Sequence, residues 1–354
     1  MTTMRRVVAT VDGVQVQQAE TPVPAPGEVR VRTTAVGVCG SDTHAVHGTH
    51  PFVPLPYLPG HEVIGVVTST GEGVDPAWTG RRVTVEPDLN CGHCATCLRG
   101  DINLCENLQF FGCGYAQGGM ADFFTIPAAR LHSLPDALDD VAASLIEPLA
   151  TPVHAVRLVG PLAGRRVAII GAGPIGLLAL AAARASGAEN VVVTDVLADK
   201  RERAQRLGAA TTVDATAPDA VAQVRDALGG SADVVFDCVG MEVTLRQAIA
   251  MVDRGGTVAL VGVPAGDLTL PMAIVQDRRI RIQGVATYLP QDVARAMDLL
   301  QQGAVDVAAL VTAVVPVDDA ARAFELATSG DHVKVLVSDD PQLTDAVNGA
   351  GRRG

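Results

Sequence analysis

No apolar run in this sequence is both long and unbroken. The longest uncharged apolar run, Val167 to Ala183, is interrupted by three glycines and a proline, whereas a membrane-spanning helix needs about 20 consecutive apolar residues. A secretory leader is also missing from the reading: Met1 to Val8 carries Arg5 and Arg6, and Asp12 and Gln15 follow instead of an apolar core. Basic residues are in deficit, with 27 Lys and Arg against 39 Asp and Glu and a net charge of −12. That balance argues against nucleic acid and against anionic membrane surfaces as partners. A disulfide framework is disfavoured too, because four of the seven cysteines crowd between Cys91 and Cys105 at metal-ligand spacing. With no secretion signal, they read as reduced thiolates of a cytoplasmic protein. What is present is 354 residues, 48% hydrophobic and 19% charged, enough for two globular domains with sizeable cores.

The most informative stretch runs from Gly164 to Asp195. Val167-Ala168-Ile169-Ile170 is a short buried strand, and G-x-G-x-x-G follows as Gly171, Gly173 and Gly176. In that pattern the first glycine makes the tight turn, the second lets a pyrophosphate approach the backbone, and the third packs helix on strand. Pro174 suits the first helical turn beside Ile175, and Gly187 suits the left-handed cap beyond Ala185. Val191 to Thr194 is the next strand and ends on Asp195, placed to hydrogen-bond the ribose hydroxyls of NAD. Lys200 and Arg201 open the following helix as candidates for the adenine ribose, with exposed helix charge the plainer reading.

The first half is β-rich. Val14-Gln15-Val16-Gln17 and Val29-Arg30-Val31-Arg32 alternate as half-buried strands do, and Val63 to Thr68 and Arg82 to Val85 read as further strands. Two turns there carry side chains able to do chemistry. One is Cys39-Gly40-Ser41-Asp42-Thr43-His44 and the other Gly60-His61-Glu62. Cysteine, histidine and glutamate are zinc ligands; singly, each also fits a buried apolar cysteine or a satisfied turn histidine.

Cys91, Cys94, Cys97 and Cys105 are spaced C-x2-C-x2-C-x7-C. Four thiolates close a tetrahedron around zinc and leave no open position, which makes a structural site. An iron–sulfur cluster is the chemical alternative. His93 reads as exposed loop, and Cys113 and Cys238 as spare small residues.

With these motifs the chain resembles the zinc-dependent medium-chain alcohol and polyol dehydrogenases. The likeness covers Cys39-Gly40-Ser41-Asp42, Gly60-His61-Glu62, the cysteine lobe, Glu147-Pro148-Leu149-Ala150 and Gly171 to Asp195, in order, over nearly the whole chain. It implies an α/β protein: a chaperonin-like β-rich catalytic domain, then a doubly wound parallel-sheet (Rossmann) domain, with the active site in the cleft between. It further implies a catalytic zinc held by Cys39, His61 and Glu147, with Glu62 an occasional ligand. Ser41 would take the alcohol proton and His44 relay it outward. Glu147 stands where the alcohol dehydrogenase branch has a second cysteine, which places the chain nearer the sorbitol, butanediol and threonine dehydrogenases. It departs at Thr287-Tyr288, where sorbitol dehydrogenases carry arginine before tyrosine.

The expected domains are 1–150, catalytic with the lobe at 91–105; 151–286, dinucleotide-binding; 287–340, a return to the catalytic domain; and 341–354, a disordered tail ending Asn348 to Gly354. Val234 to Asp237, Val258 to Val261 and Ile280 to Gln283 supply further strands, the last a sheet edge for pairing between subunits of a dimer or tetramer. The activity expected is NAD- and zinc-dependent oxidation of a secondary alcohol, in a polyol or diol, to a ketone. A threonine or sugar-alcohol-phosphate dehydrogenase is the near alternative, and a non-enzymatic dinucleotide sensor the distant one.

Overall fold

The computed structural model describes residues 2–349. Within them the chain divides into two compact units, 2–147 with 307–349, and Pro148–Asp306.

The first unit opens with a hairpin, β1 (Thr3–Thr10) and β2 (Gly13–Glu20). β3 (Glu28–Gly37), helix α1 (Gly40–Val46), β4 (Glu62–Thr70) and β5 (Arg82–Val85) follow. A small ribbon, β6 (Asp88–Leu89) with β7 (Gln109–Phe110), brackets the cysteine lobe and its helix α2 (Ala95–Leu98). β8 (Phe123–Pro127), β9 (Leu131–Ser133) and α3 (Asp140–Ala143) complete the N-terminal share, and α4 (Ile146–Val159) leads into the second unit. Val29, Val31, Val63, Val67, Val83 and Phe124 fill the core, from strands whose alternate residues face it.

The second unit is a six-stranded parallel sheet in the order β12-β11-β10-β13-β14-β15. Its strands are β10 (Val167–Ile170), β11 (Val191–Asp195), β12 (Thr211–Asp214), β13 (Ala232–Asp237), β14 (Val252–Leu260) and β15 (Arg281–Gly284). Between and after them run α5 (Pro174–Ala185), α6 (Ala198–Arg206), α7 (Ala220–Leu228), α8 (Glu242–Met251), α9 (Met272–Asp277) and α10 (Pro290–Gln301). This is the 3-2-1-4-5-6 order of a doubly wound dinucleotide fold, with β10 first and the order reversing beside it.

The chain then rejoins the first unit through α11 (Val307–Leu310), β16 (Val311–Val315), α12 (Ala320–Ser329), β17 (Lys334–Val337) and α13 (Pro341–Asn348). β17 pairs antiparallel with β3, so the sheet reads β16-β17-β3-β4-β5-β9, with β8 also on β3. No helix among the described residues is long and apolar enough to cross a membrane.

Three expectations differ from what is found. The segment after Cys39 is a helix rather than a turn. The second unit continues through α10 to Asp306 rather than ending near 286. The reason is a buried charge network: Asp292, at the start of α10, holds His154 and Arg157 of α4. Pro341–Asn348 is helical, not a disordered tail. Asp340 caps it by accepting from Gln342 N, Pro341 starts it, and the Asn348 side chain bonds both the N–H and the carbonyl of Val314. Residues 350–354 of the expected tail lie outside the described residues.

Candidate active site

Cys39 ends the extended run of β3 and precedes α1, while His61 immediately precedes β4, which pairs with β3. Adjacent strands therefore bring two distant turns together. One ligand atom from each of Cys39, His61 and Glu62 lies within 4.8 Å of the others. His61 is buried, and its Nδ1 finds no hydrogen-bond partner among the described residues. A buried ring nitrogen left unpaired is costly, and a metal ion bound there would satisfy it. Burial alone would push the His61 pKa down, yet the Asp42 carboxylate and the Cys39 sulfur outweigh it and carry the value well above the ordinary one. The surroundings are thus rich in negative charge, as a cation site requires.

Asp42 is fully buried, its pKa raised by that burial, and it accepts from Cys39 N at 3.0 Å and from Tyr57 Oη at 3.0 Å. It fixes the backbone that presents the Cys39 sulfur. Ser41 lies beside the Cys113 thiol, whose pKa burial pushes up to about 12. Cys113 is therefore a neighbour of the site, not a spare residue. His44 is exposed on α1, with Nδ1 3.3 Å from Thr49 Oγ1. Glu147 is 8% exposed in the first turn of α4. It falls outside the 4.8 Å group, although its charge is felt at both His61 and Lys334.

Glu62 has a partner that sequence reasoning missed. Lys334 Nζ donates to its Oε1 at 2.6 Å and its Oε2 at 2.7 Å, with both side chains buried. A lysine inside the apolar strand Lys334-Val335-Leu336-Val337 is the signal that marks it, since a buried lysine needs a partner.

The lobe brings Cys91, Cys94, Cys97 and Cys105 together. Cys94 Sγ and Cys105 Sγ are 3.8 Å apart, the edge of a tetrahedron with zinc–sulfur bonds of about 2.3 Å. Backbone amides point at the sulfurs: Cys91 N and Asn107 N donate to Cys105, and Cys94 N to Cys91. The Thr96 hydroxyl and the amide of Cys97 hold the Cys94 thiol down at about 5. These residues fit a tetrathiolate metal.

In the second unit, a Cβ on Gly176 would fall 1.8 Å from Gly171 O, so helix and turn meet at a distance only glycine allows. At Gly173, in contrast, nothing lies within 4 Å of that position, leaving the backbone open to a ligand. Pro174 and Ile175 begin α5 beside it. Asp195 Oδ2 accepts from Ala172 N and Oδ1 from Leu197 N at 2.9 Å. Arg201 is not an exposed helix charge. It folds inward to the carbonyls of Asp195 and Val196 and pairs with Asp214. Lys200 is half-buried on α6.

Comparison with known proteins agrees with this arrangement. Residues 25–136 match the alcohol dehydrogenase GroES-like domain and residues 174–302 the zinc-binding dehydrogenase domain. Sorbitol dehydrogenase of Bacillus subtilis (strain 168) is 33% identical over 88% of this chain and 90% of its own length. The chain belongs to the zinc-dependent medium-chain alcohol and polyol dehydrogenases. A zinc-binding dehydrogenase from Sinorhizobium meliloti 1021, solved bound to NADP, superposes with a TM-score of 0.89 at 33% identity, covering 96% of this chain and all of that one. For 2R,3R-butanediol dehydrogenase from Bacillus subtilis the TM-score is 0.87 at 29% identity, over 95% of this chain and 100% of that one. Cys39 and His61 fall within the GroES-like match, and α5, which follows the Gly171 turn, falls within the zinc-binding dehydrogenase match.

Proposed function

We propose that this dehydrogenase oxidises a secondary alcohol of a polyol or diol to the ketone, with NAD as hydride acceptor. The carrying observation is the cluster of half-buried Cys39 with buried His61 and Glu62, with His61 Nδ1 unpartnered among the described residues, next to Ser41 in the first turn of α1. Sorbitol and butanediol dehydrogenases among the relatives support the substrate class.

Cys39, His61 and Glu147 would hold a zinc ion, with Glu62 beside them, and the lobe a second. Zinc at the first site supplies Lewis acidity toward the alcohol oxygen and undergoes no redox change. The Ser41 hydroxyl accepts the alcohol proton and passes its own to His44, whose exposed ring returns it to solvent. The hydride leaves the carbinol carbon for the nicotinamide, so the products are ketone, NADH and a proton. Gly171, Gly173 and the start of α5 receive the pyrophosphate, where the backbone N–H groups of a helix N-terminus favour anions. Asp195 receives the ribose hydroxyls, and a 2′-phosphate would meet its negative charge.

The open edge of β15 is the surface through which two copies would continue the sheet. Such pairing makes a homo-oligomer, and the reduced thiolates suit the cytoplasm.

The test is a spectrophotometric screen for NAD reduction over polyols, diols, threonine, inositols and sugar phosphates. Turnover of a secondary polyol or diol hydroxyl, lost in His61→Ala, is expected. Turnover of none of these substrates by zinc-loaded protein would overturn the reading.

A further inference from the structure

The carboxylate that closes the N-terminus of α1 belongs to the helix itself. Asp42 is its third residue, and its Oδ2 reaches back to accept from Cys39 N at 3.0 Å, as the acid of a capping box does. Asp42 is also fully buried, and a carboxylate out of water is costly unless its oxygens find donors. Oδ1 finds Tyr57, whose hydroxyl donates to it at 3.0 Å. Tyr57 in turn is anchored away from α1. Its N–H and its carbonyl both bond to Ala9 of β1 at 3.0 Å, and its side chain packs in a small cluster with Ala9, Ala45 and Val53. Cys39 precedes α1 and Ser41 lies in its first turn, so both move with this cap. His61 is fixed separately, immediately before β4, which pairs with β3.

We propose that Tyr57 is a positioning residue: its hydroxyl pins Asp42 to the Cys39 amide and so places the Cys39 sulfur and the Ser41 hydroxyl relative to His61. This rests on reading Cys39 and His61 as metal ligands and Ser41 as the proton acceptor. Without the tyrosine hydroxyl, Oδ1 is a buried acceptor left without its donor, and such a group costs its desolvation penalty. The carboxylate relieves that by turning, which releases Oδ2 from Cys39 N. The first turn of α1 then loosens, and two groups of the reaction shift together while His61 stays. The aromatic ring has a different part. It fills the cluster around Ala45, and a phenylalanine ring fills it equally, so bond and packing are separable by substitution.

The test uses full-length protein with cobalt in the first site and zinc in the lobe. Tyr57→Phe should speed loss of the first-site metal to a chelator about ten-fold and lower kcat by a similar factor, the scale on which outer-shell partners act on metal sites. The cobalt absorption bands should shift, while the lobe zinc and the Kd for NAD stay at parent values. Val53→Ala loosens the same cluster without touching the hydroxyl. It should lower the thermal midpoint and leave the cobalt bands and metal loss unchanged. Because Tyr57 acts through Asp42, the effect of Tyr57→Phe on metal loss should vanish in an Asp42→Asn background. Tyr57→Met gives the same comparisons should phenylalanine prevent folding. Parent-like bands and metal loss in Tyr57→Phe, an equal effect from Val53→Ala, or a full effect persisting beside Asp42→Asn would overturn the role of Tyr57. A parent protein that binds no cobalt through Cys39 and His61 would instead overturn the metal reading, and this inference with it.

Discussion

Asp195 Oδ2 accepts a 2.7 Å hydrogen bond from the backbone N–H of Ala172, tying the end of β11 to the turn between Gly171 and Gly173. The residue proposed to read the ribose therefore also braces the loop proposed to receive the pyrophosphate. NAD should be preferred over NADP in kcat/KM. Asp195→Ala should narrow that preference about ten-fold, the worth of one hydrogen bond to a charged group. It should also weaken binding of both cofactors, because the brace goes with it. Steady-state kinetics with each cofactor check this, and equal kcat/KM values in the parent enzyme would refute the reading.

Gly176→Ala should be far more damaging than Gly173→Ala in the free protein. The first places a methyl group 1.8 Å from Gly171 O, and the second meets nothing within 4 Å. Overpacking of this kind costs about 1–3 kcal/mol, readable as a lower urea midpoint for Gly176→Ala. Gly173→Ala should leave the midpoint near that of the parent while weakening NAD binding in a titration. Equal midpoints for the two variants would show that helix and turn are not in the contact described.

Asp292 holds α10 against α4 by accepting from His154 Nδ1, at 2.7 Å, and from Arg157. Although burial would raise its pKa, these partners bring it down to about 2 from the ordinary 3.8. Because the folded value is the lower one, the stabilisation is complete above about 3.8 and is lost as pH falls through about 2. The shift corresponds to about 2 kcal/mol. Asp292→Asn should lower stability by at least that amount at neutral pH, with a difference from the parent that shrinks on acidification below pH 4. A denaturant series across pH checks the sign, and a difference that grows toward low pH would contradict it.

How much of this was legible in the sequence depended on how far apart the interacting residues lie. The cysteine lobe and the Gly171 turn could be read because their partners are neighbours in the chain. The Rossmann architecture followed from strands and helices of ordinary length in strict alternation. The Lys334–Glu62 pair spans 272 positions, and only the presence of a lysine in an apolar strand hinted at it. The extension of the second unit to Asp306 rests on the Asp292 contacts with α4, which no local pattern announces. In contrast, α13 carried readable signals, an Asp340 cap and Pro341 in its first turn, outweighed by the glycines and arginines that follow.

Cys94→Ser should impair folding or assembly, because a structural metal contributes directly to folding free energy. The thermal midpoint should fall and soluble yield with it. His61→Ala should leave both, and NAD binding, close to the parent while abolishing turnover. The reverse pattern would exchange the structural and catalytic labels of the two sites.

Zinc content per chain tests the central claim most directly. The two ligand groups predict two zinc ions in the parent protein. His61→Ala and Glu147→Ala should each retain only the lobe zinc, while Glu62→Ala retains most of both. A single zinc in the parent, iron in place of zinc, or an undiminished count in His61→Ala would contradict the account.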